Sequence, residues 1–380
     1  MQAPRPRLHF ADNLRTFAII LVILVHIAIT YGASGLWYYK EGQLTGPEYY
    51  AFLAFTCFCQ AFFMGLLFLM AGYFTPGSYD RKGPLQFTLD RLLRLWLPVG
   101  IFVFLIDPFI QYALISAGVL PSPTGMPMTM GTFLGLFINP LNGLGFGPLW
   151  FIEALFYFTL IYVVWRLTVK RPGQVHTIPS NSTIALFAIS LGVVSFLIRI
   201  WFPIGYVLNP FGFQLPFFPQ YVAFFIVGII AFRGNWLLTM PARTGTFWFR
   251  VAIVLAIVFL AILSFAAVTG TAYLFFGGFN WQTAFYSLWE QAFGVSISIG
   301  LIIRFRERFN SQTRFTKALS ENSYAAYILQ APIIVGLTLA LAGIEMPLVL
   351  KFVIVAPIGV ALCFGIGYLV RKIPKVDRVL

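Results

Sequence analysis

Apolar residues in this chain fall in long unbroken runs rather than at alternating positions or in narrow amphipathic stripes. A helical bilayer crossing takes about 20 consecutive apolar residues, and a helix satisfies its backbone N–H and C=O groups within its own segment. Ten runs approach or exceed that length, at 13–33, 52–75, 92–115, 148–168, 182–202, 217–234, 249–269, 282–303, 322–343 and 347–370. The 116–147 stretch contains only the weaker run Phe133 to Ile138 and reads as a long loop with a re-entrant or interfacial piece. The pattern predicts an all-α, polytopic integral membrane protein of about ten transmembrane helices. It forms a single domain over 1–380, since no sequence repeat, low-complexity tract or soluble appendage interrupts it.

The cations orient these runs. With the N-terminus cytoplasmic, all of the 25 Lys and Arg but Lys40, Arg199 and Lys351 fall on the cytoplasmic side or, for Arg15, just inside the first helix. That bias is the one expected of cytoplasmic loops, and it places both termini inside. It also accounts for the net charge of +13 without a nucleic-acid partner. Composition agrees: 59% of residues are hydrophobic and only 10% charged, against about 25% charged in soluble domains. The first run carries His26 and lacks a small-residue cleavage motif, so no cleavable leader is expected. Met1-Gln2 lacks the myristoylation glycine, and the C-terminal residues are not a prenylation box. Cys57, Cys59 and Cys363 lie in apolar runs and read as small buried residues, with no metal-binding spacing among them.

Ionisable groups inside spans are costly and mark functional sites by default. In the first span, Arg15 and His26 are eleven positions apart. At about 100° per residue this is some 20° from three whole turns, so both lie on one face, about 16 Å apart along the axis. His26 sits in the outer half, where a group titrating near neutrality suits general-base work. His9 reads as interfacial and His176 as solvated in a basic loop. Glu153, in the fourth span, has a depth similar to that of His26 and reads as its orienting carboxylate. Asp107 and Glu290 share the outer half. Asp107 precedes Pro108 and is read as a helix end, and Glu290 as a possible site residue. Arg91 and Arg94 are three positions apart, and guanidinium forks suit phosphates. Together with Arg15 they suggest a phosphate-holding mouth on the cytoplasmic face. A long anionic donor would keep its phosphates there while its reactive end reaches His26.

These residues carry a resemblance. Asp12-Asn13-Leu14-Arg15 through His26 resembles the first-span signature of the membrane-bound acyltransferase type 3 family, and Arg91-x-x-Arg94 resembles its second motif. Gly147-Pro148-Leu149-Trp150-Phe151-Ile152-Glu153 through Tyr157 resembles its Trp/Glu/Phe-Tyr segment. Weaker patterns match Phe62 through Phe74 and Glu321 through Tyr327. The resemblance implies about ten helices and O-acyl transfer from cytoplasmic acyl-CoA to an acceptor hydroxyl, often on an extracytoplasmic carbohydrate, at a bacterial inner membrane. The closest subgroup is the succinyl-transferring branch of glucan biosynthesis protein C. On this reading His26 and Glu153 are catalytic, and Arg15, Arg91 and Arg94 bind the donor. Asp12, Trp150, Glu290 and Gln330 are possible site residues, and no metal or cofactor is implied beyond acyl-CoA as co-substrate. Two departures stand out: Gln330 replaces a His common in relatives, and Ala71 replaces a small hydroxyl residue before Gly72. The outer loops 116–147 and 203–216 read as acceptor-facing, the second through Phe211 and Phe213, whose bland alternative is interfacial anchoring. The competing class is a proton-coupled transporter, which explains the buried His, Glu and Asp but not the Arg cluster. A structural or lipid-scrambling role is a third.

Overall fold

The computed structural model describes residues 7–122, 129–137, 145–169, 173, 177–376 and 379–380. Arg5, Lys170, Arg171, His176 and Arg378, which the charge pattern assigns to the basic side, lie outside the described residues. Helices dominate: α1 (His9–Thr30), α2 (Gly46–Gln60), α3 (Phe63–Arg91), α4 (Leu97–Ile101), α5 (Asp107–Ser116), α6 (Met130–Phe137), α7 (Trp150–Thr168) and α8 (Asn181–Trp201) are followed by six more. These are α9 (Phe218–Arg233), α10 (Trp236–Thr239), α11 (Ala242–Thr269), α12 (Trp281–Arg308), α13 (Arg314–Ala340) and α14 (Leu348–Arg371). Among the described residues there is no named strand, and the protein is an all-α, polytopic integral membrane protein.

Nine stretches of the described residues are long and apolar enough to cross a membrane. One of them, Gly46–Ser116, runs 71 residues. At 1.5 Å per residue it would reach about 106 Å, against a hydrocarbon core of about 30 Å. It contains both the second and third predicted runs. The path breaks at Gly83, whose φ of +74° is open to glycine, with Pro84 following and Arg81 and Lys82 beside it. Two π-helical turns, Leu92–Trp96 and Phe102–Ile106, flank α4. In the 116–147 stretch the eight-residue α6 covers most of the apolar run expected there, while 123–128 and 138–144 lie outside the described residues.

Several helix starts are written locally. Ser180 caps α8 and Asn280 caps α12, each accepting from the backbone N–H three residues on. Thr313 and Thr316 form a reciprocal capping box at α13. Packing then places α1 at the centre, against α2, α3, α12, α13 and α14. The α3–α9 pair is the most extensive contact. There Gly72 lies under the Phe225 carbonyl and Gly228 under the Leu69 carbonyl, where a Cβ would overlap the oxygen. Small residues let membrane helices approach in this way.

The three cations outside the basic side have different fates. Arg199 on α8 is fully buried and pairs with Glu290 on α12 at 2.5 Å, with Ser287 Oγ accepting a second bond at 3.2 Å. Lys351 on α14 is buried and bonds Glu41, while Lys40 is exposed. The Lys351–Glu41 pair fastens the 31–45 loop to the bundle, aided by Tyr39 Oη donating to Thr338 Oγ1 at 2.7 Å.

Two stability predictions follow from this packing. Gly72→Ala and Gly228→Ala should each destabilise the α3–α9 contact by about 1–3 kcal/mol, read as a lower unfolding midpoint in detergent; an unchanged midpoint would show that the helices can separate freely. Glu290→Leu should cost about 3–5 kcal/mol by leaving Arg199 buried without its partner, and adding Arg199→Met should recover most of that loss. A double variant as unstable as the single would place the effect outside the ion pair.

Candidate active site

The active-site candidate begins with the position of His26, one turn before the end of the central helix α1. Its Nδ1 lies 2.9 Å from Gln330 Oε1 on α13. An amide oxygen only accepts, so Nδ1 is the donor in this contact, and in the neutral ring Nε2 is then the nitrogen that accepts. Trp37, in the loop just after α1, stacks on the imidazole with ring centroids 4.0 Å apart and an interplanar angle of 17°. Tyr327 lies three residues before Gln330 on the same helix, and its hydroxyl donates to the Pro148 carbonyl. One face of α13 thus holds both the imidazole and the turn that begins α7.

Two cavities meet at His26 and share Leu36, Pro148, Trp150 and Gln214. The first, of about 290 Å³, is walled largely by apolar side chains such as Val22, Val25, Ile29, Leu53, Phe63 and Met64. The second, of about 320 Å³, carries Trp37, Tyr38, Asp107, Gln111, Asn209 and Gln214. Trp150 stacks on Tyr221, with centroids 5.5 Å apart, and faces both.

The pairing of Glu153 with His26, expected from matched depth, is not formed. Glu153 is fully buried; its Oε1 accepts from Tyr157 Oη at 3.3 Å, and it lines neither cavity. The orienting contact belongs to Gln330. Depth along two helices is readable from sequence, whereas the rotation of α7 about its own axis is set by packing, including the stack of Phe156 on Trp96. Glu290 also lies away from both cavities, 1% exposed and engaged by Arg199 and Gln291. Phe211 and Phe213 stack on each other beside Tyr157, while their neighbours Asn209 and Gln214 line the second cavity.

At the other end of α1, Asp12 is clamped between two guanidinium groups, Arg7 Nε and Arg15 Nη2, each at 2.7 Å. These bonds hold Arg7 above its ordinary pKa, with the hydrogen bond to Asp12 as the largest cause. The Arg15 side chain remains 41% exposed. Arg91 ends α3 with its guanidinium 4.9 Å from the Phe87 ring centre, and Arg94 sits exposed in the first π turn. Neither Arg91 nor Arg94 has an ion pair with a carboxylate among the described residues. Tyr324 on α13 donates to the Arg94 carbonyl, so the helix that holds His26 also touches the arginine turn.

Sequence reasoning missed Trp37, Tyr38, Gln111, Asn209 and Gln214. The run Trp37-Tyr38-Tyr39 immediately beyond a histidine-bearing span was the available signal. It also missed Gly145, and Gly147 entered only as the first residue of the Trp/Glu/Phe-Tyr segment. A Cβ on Gly145 would lie 2.5 Å from Asp107 Oδ2, and one on Gly147, with φ +47°, would lie 2.6 Å from Tyr38 Oη.

No curated protein and no solved structure matches the chain significantly. A family described as acyltransferase domain matches residues 8–369, from the residue before α1 almost to the end of α14. The chain therefore belongs to the acyltransferase type 3 family and is an acyl-transferring integral membrane protein.

Proposed function

We propose that this protein is an O-acyltransferase that moves an acetyl or succinyl group from acyl-CoA to an acceptor hydroxyl, with His26 as general base. The observation that carries the reading is the seat of His26: a part-buried imidazole, fixed through Nδ1, where two cavities meet on the helix that also carries Arg15. Acyl-CoA approaches from the cytoplasmic, basic face, and the acceptor is a carbohydrate on the opposite face of a bacterial inner membrane. Arg15, Arg91 and Arg94 hold the phosphates of the donor, and the thioester reaches His26 about 16 Å along α1.

In the chemical step His26 Nε2 takes the proton of the acceptor hydroxyl as its oxygen bonds to the thioester carbonyl carbon. The tetrahedral species collapses with cleavage of the C–S bond. The imidazolium returns the proton to the departing sulfur, leaving an ester and free CoA thiol. Gln330 keeps Nδ1 protonated throughout, so the nitrogen facing the reactants is the basic one. Trp37 covers the ring and limits its rotation. The first cavity's apolar wall suits the acyl group. No metal or further cofactor takes part in this scheme.

The test is turnover of labelled acetyl-CoA and succinyl-CoA by purified protein. His26→Gln should lower transfer by about 10²–10⁴-fold with folding intact; retained turnover would remove His26 from the mechanism. Arg91→Ala with Arg94→Ala should weaken donor binding by about tenfold or more while leaving the fold unchanged. Donor affinity indifferent to both arginines would move the phosphate site elsewhere and favour a transport role for the buried polar residues.

A further inference from the structure

Asp107 is the one carboxylate among the described residues that lines either His26 cavity. It is 1% exposed, in a segment of mean hydropathy high enough to cross a membrane. A residue that merely ended a helix would keep its charge in water, because burying a carboxylate without compensation is expensive. Here the burial is built for. Tyr38 Oη donates to Oδ1 and Gln111 Nε2 to Oδ2, both at 2.5 Å. Gly145 and Gly147 leave room for the carboxylate and the phenol, as a side chain at either position would collide with them.

The arrangement leaves the carboxylate able to take more. Each carboxylate oxygen has about two lone-pair sites, and the described protein donors occupy one on each. Around it the same cavity presents the amides of Gln111, Asn209 and Gln214 and the indoles of Trp37 and Trp150. The buried Trp37 Nε1 donor has no partner among the described residues. A polyol needs this set: its hydroxyls both donate and accept, amides answer both, a carboxylate accepts strongly, and indole faces cover C–H surfaces. The first cavity carries Ser34, Thr56, Gln60 and Lys40 among its apolar side chains but no carboxylate.

We propose that the cavity between His26 and Asp107 is the acceptor site. There Asp107 binds a second hydroxyl of a polyhydroxylated acceptor and so presents the reacting hydroxyl to His26. This rests on the acyl-transfer reading above and deepens it by naming the acceptor's binding residue. Asp107 accepts a hydrogen bond and takes no covalent part. Tyr38 is a positioning residue that holds the carboxylate through its hydroxyl. The site discriminates against acceptors with a single hydroxyl, which leave Asp107 without its extra donor, and sites built to bond a hydroxyl reject analogues that lack it.

The experiment uses the full chain in lipid nanodiscs free of sugar-headgroup detergent, with maltose and 1-propanol as acceptor probes. Two readouts are taken: acyl-CoA consumption with each probe, and equilibrium dialysis of labelled maltose. The wild type should prefer maltose and bind it saturably. Asp107→Asn should raise the KM for maltose and lower the maltose-to-propanol ratio of kcat/KM by at least about tenfold, with the KM for acyl-CoA unchanged. Tyr38→Phe should shift the same ratio in the same direction by less, and it guards against a folding defect in the Asp107 variant. Equal losses with both probes, or a wild type that binds no maltose, would overturn the proposal. Saturable maltose binding lost in Asp107→Asn, with no acyl-CoA consumed by any form, would uphold the site and overturn the acyl-transfer reading instead.

Discussion

A neutral imidazole in a membrane bundle is useful as a base only if one nitrogen is committed to holding the proton. The contact between His26 and Gln330 makes that commitment, and the rest of the architecture is arranged around it. The contact bridges α1 and α13, two helices remote in sequence, so the chemistry of the ring and the packing of the bundle share one bond. In a low-dielectric interior such a hydrogen bond is strong, and its absence would leave two polar groups stranded. The same helix α13 steadies the start of α7 through Tyr327 and the arginine turn through Tyr324. The tautomer of one side chain, the shape of the cavities beside it and the position of the basic turn therefore depend on a single helix face.

The bundle gives its buried cations bonded partners by the same rule. Arg199 and Glu290 occupy the interior as a bonded pair, and Lys351 with Glu41 does so at the edge of the loop that carries Trp37 and Tyr38. Truncating one member of such a pair is far more costly than never having had it. These two pairs account for two of the three cations that break the positive-inside pattern. Packing therefore accounts for these departures.

Hydropathy alone located the crossings well, because the bilayer imposes a length that sequence can be counted against. It separated 52–75 from 92–115, and the structure breaks the helical path between them at Gly83. Helical phase placed Arg15 and His26 on one face, since both belong to one rigid element. Relations between elements were not legible. Glu153 was matched to His26 by depth alone, and its hydrogen bond goes to Tyr157, because rotation of a helix about its axis depends on neighbours that no local pattern names. Gln330 entered as a departure from a family pattern, and its contact with His26 could come only from the packing of α13 on α1. Asp107 was read as a helix end because it precedes a proline. Its carboxylate is engaged by Tyr38, a residue 69 positions earlier.

Trp37 and Tyr38 are consecutive, yet one covers the imidazole while the other holds the carboxylate across the cavity. In evolutionary terms this loop has little freedom of length, since inserting a residue between them would disengage one partner or the other. The amides of Asn209 and Gln214 lie on a separate loop that bears no part of the His26 setting. Under the acceptor-site proposal, descendants of this sequence can change what they recognise by drift on the 203–216 loop while inheriting Trp37, Tyr38 and Asp107 as a block. The division makes the fold evolvable in its choice of partner and conservative in its chemistry.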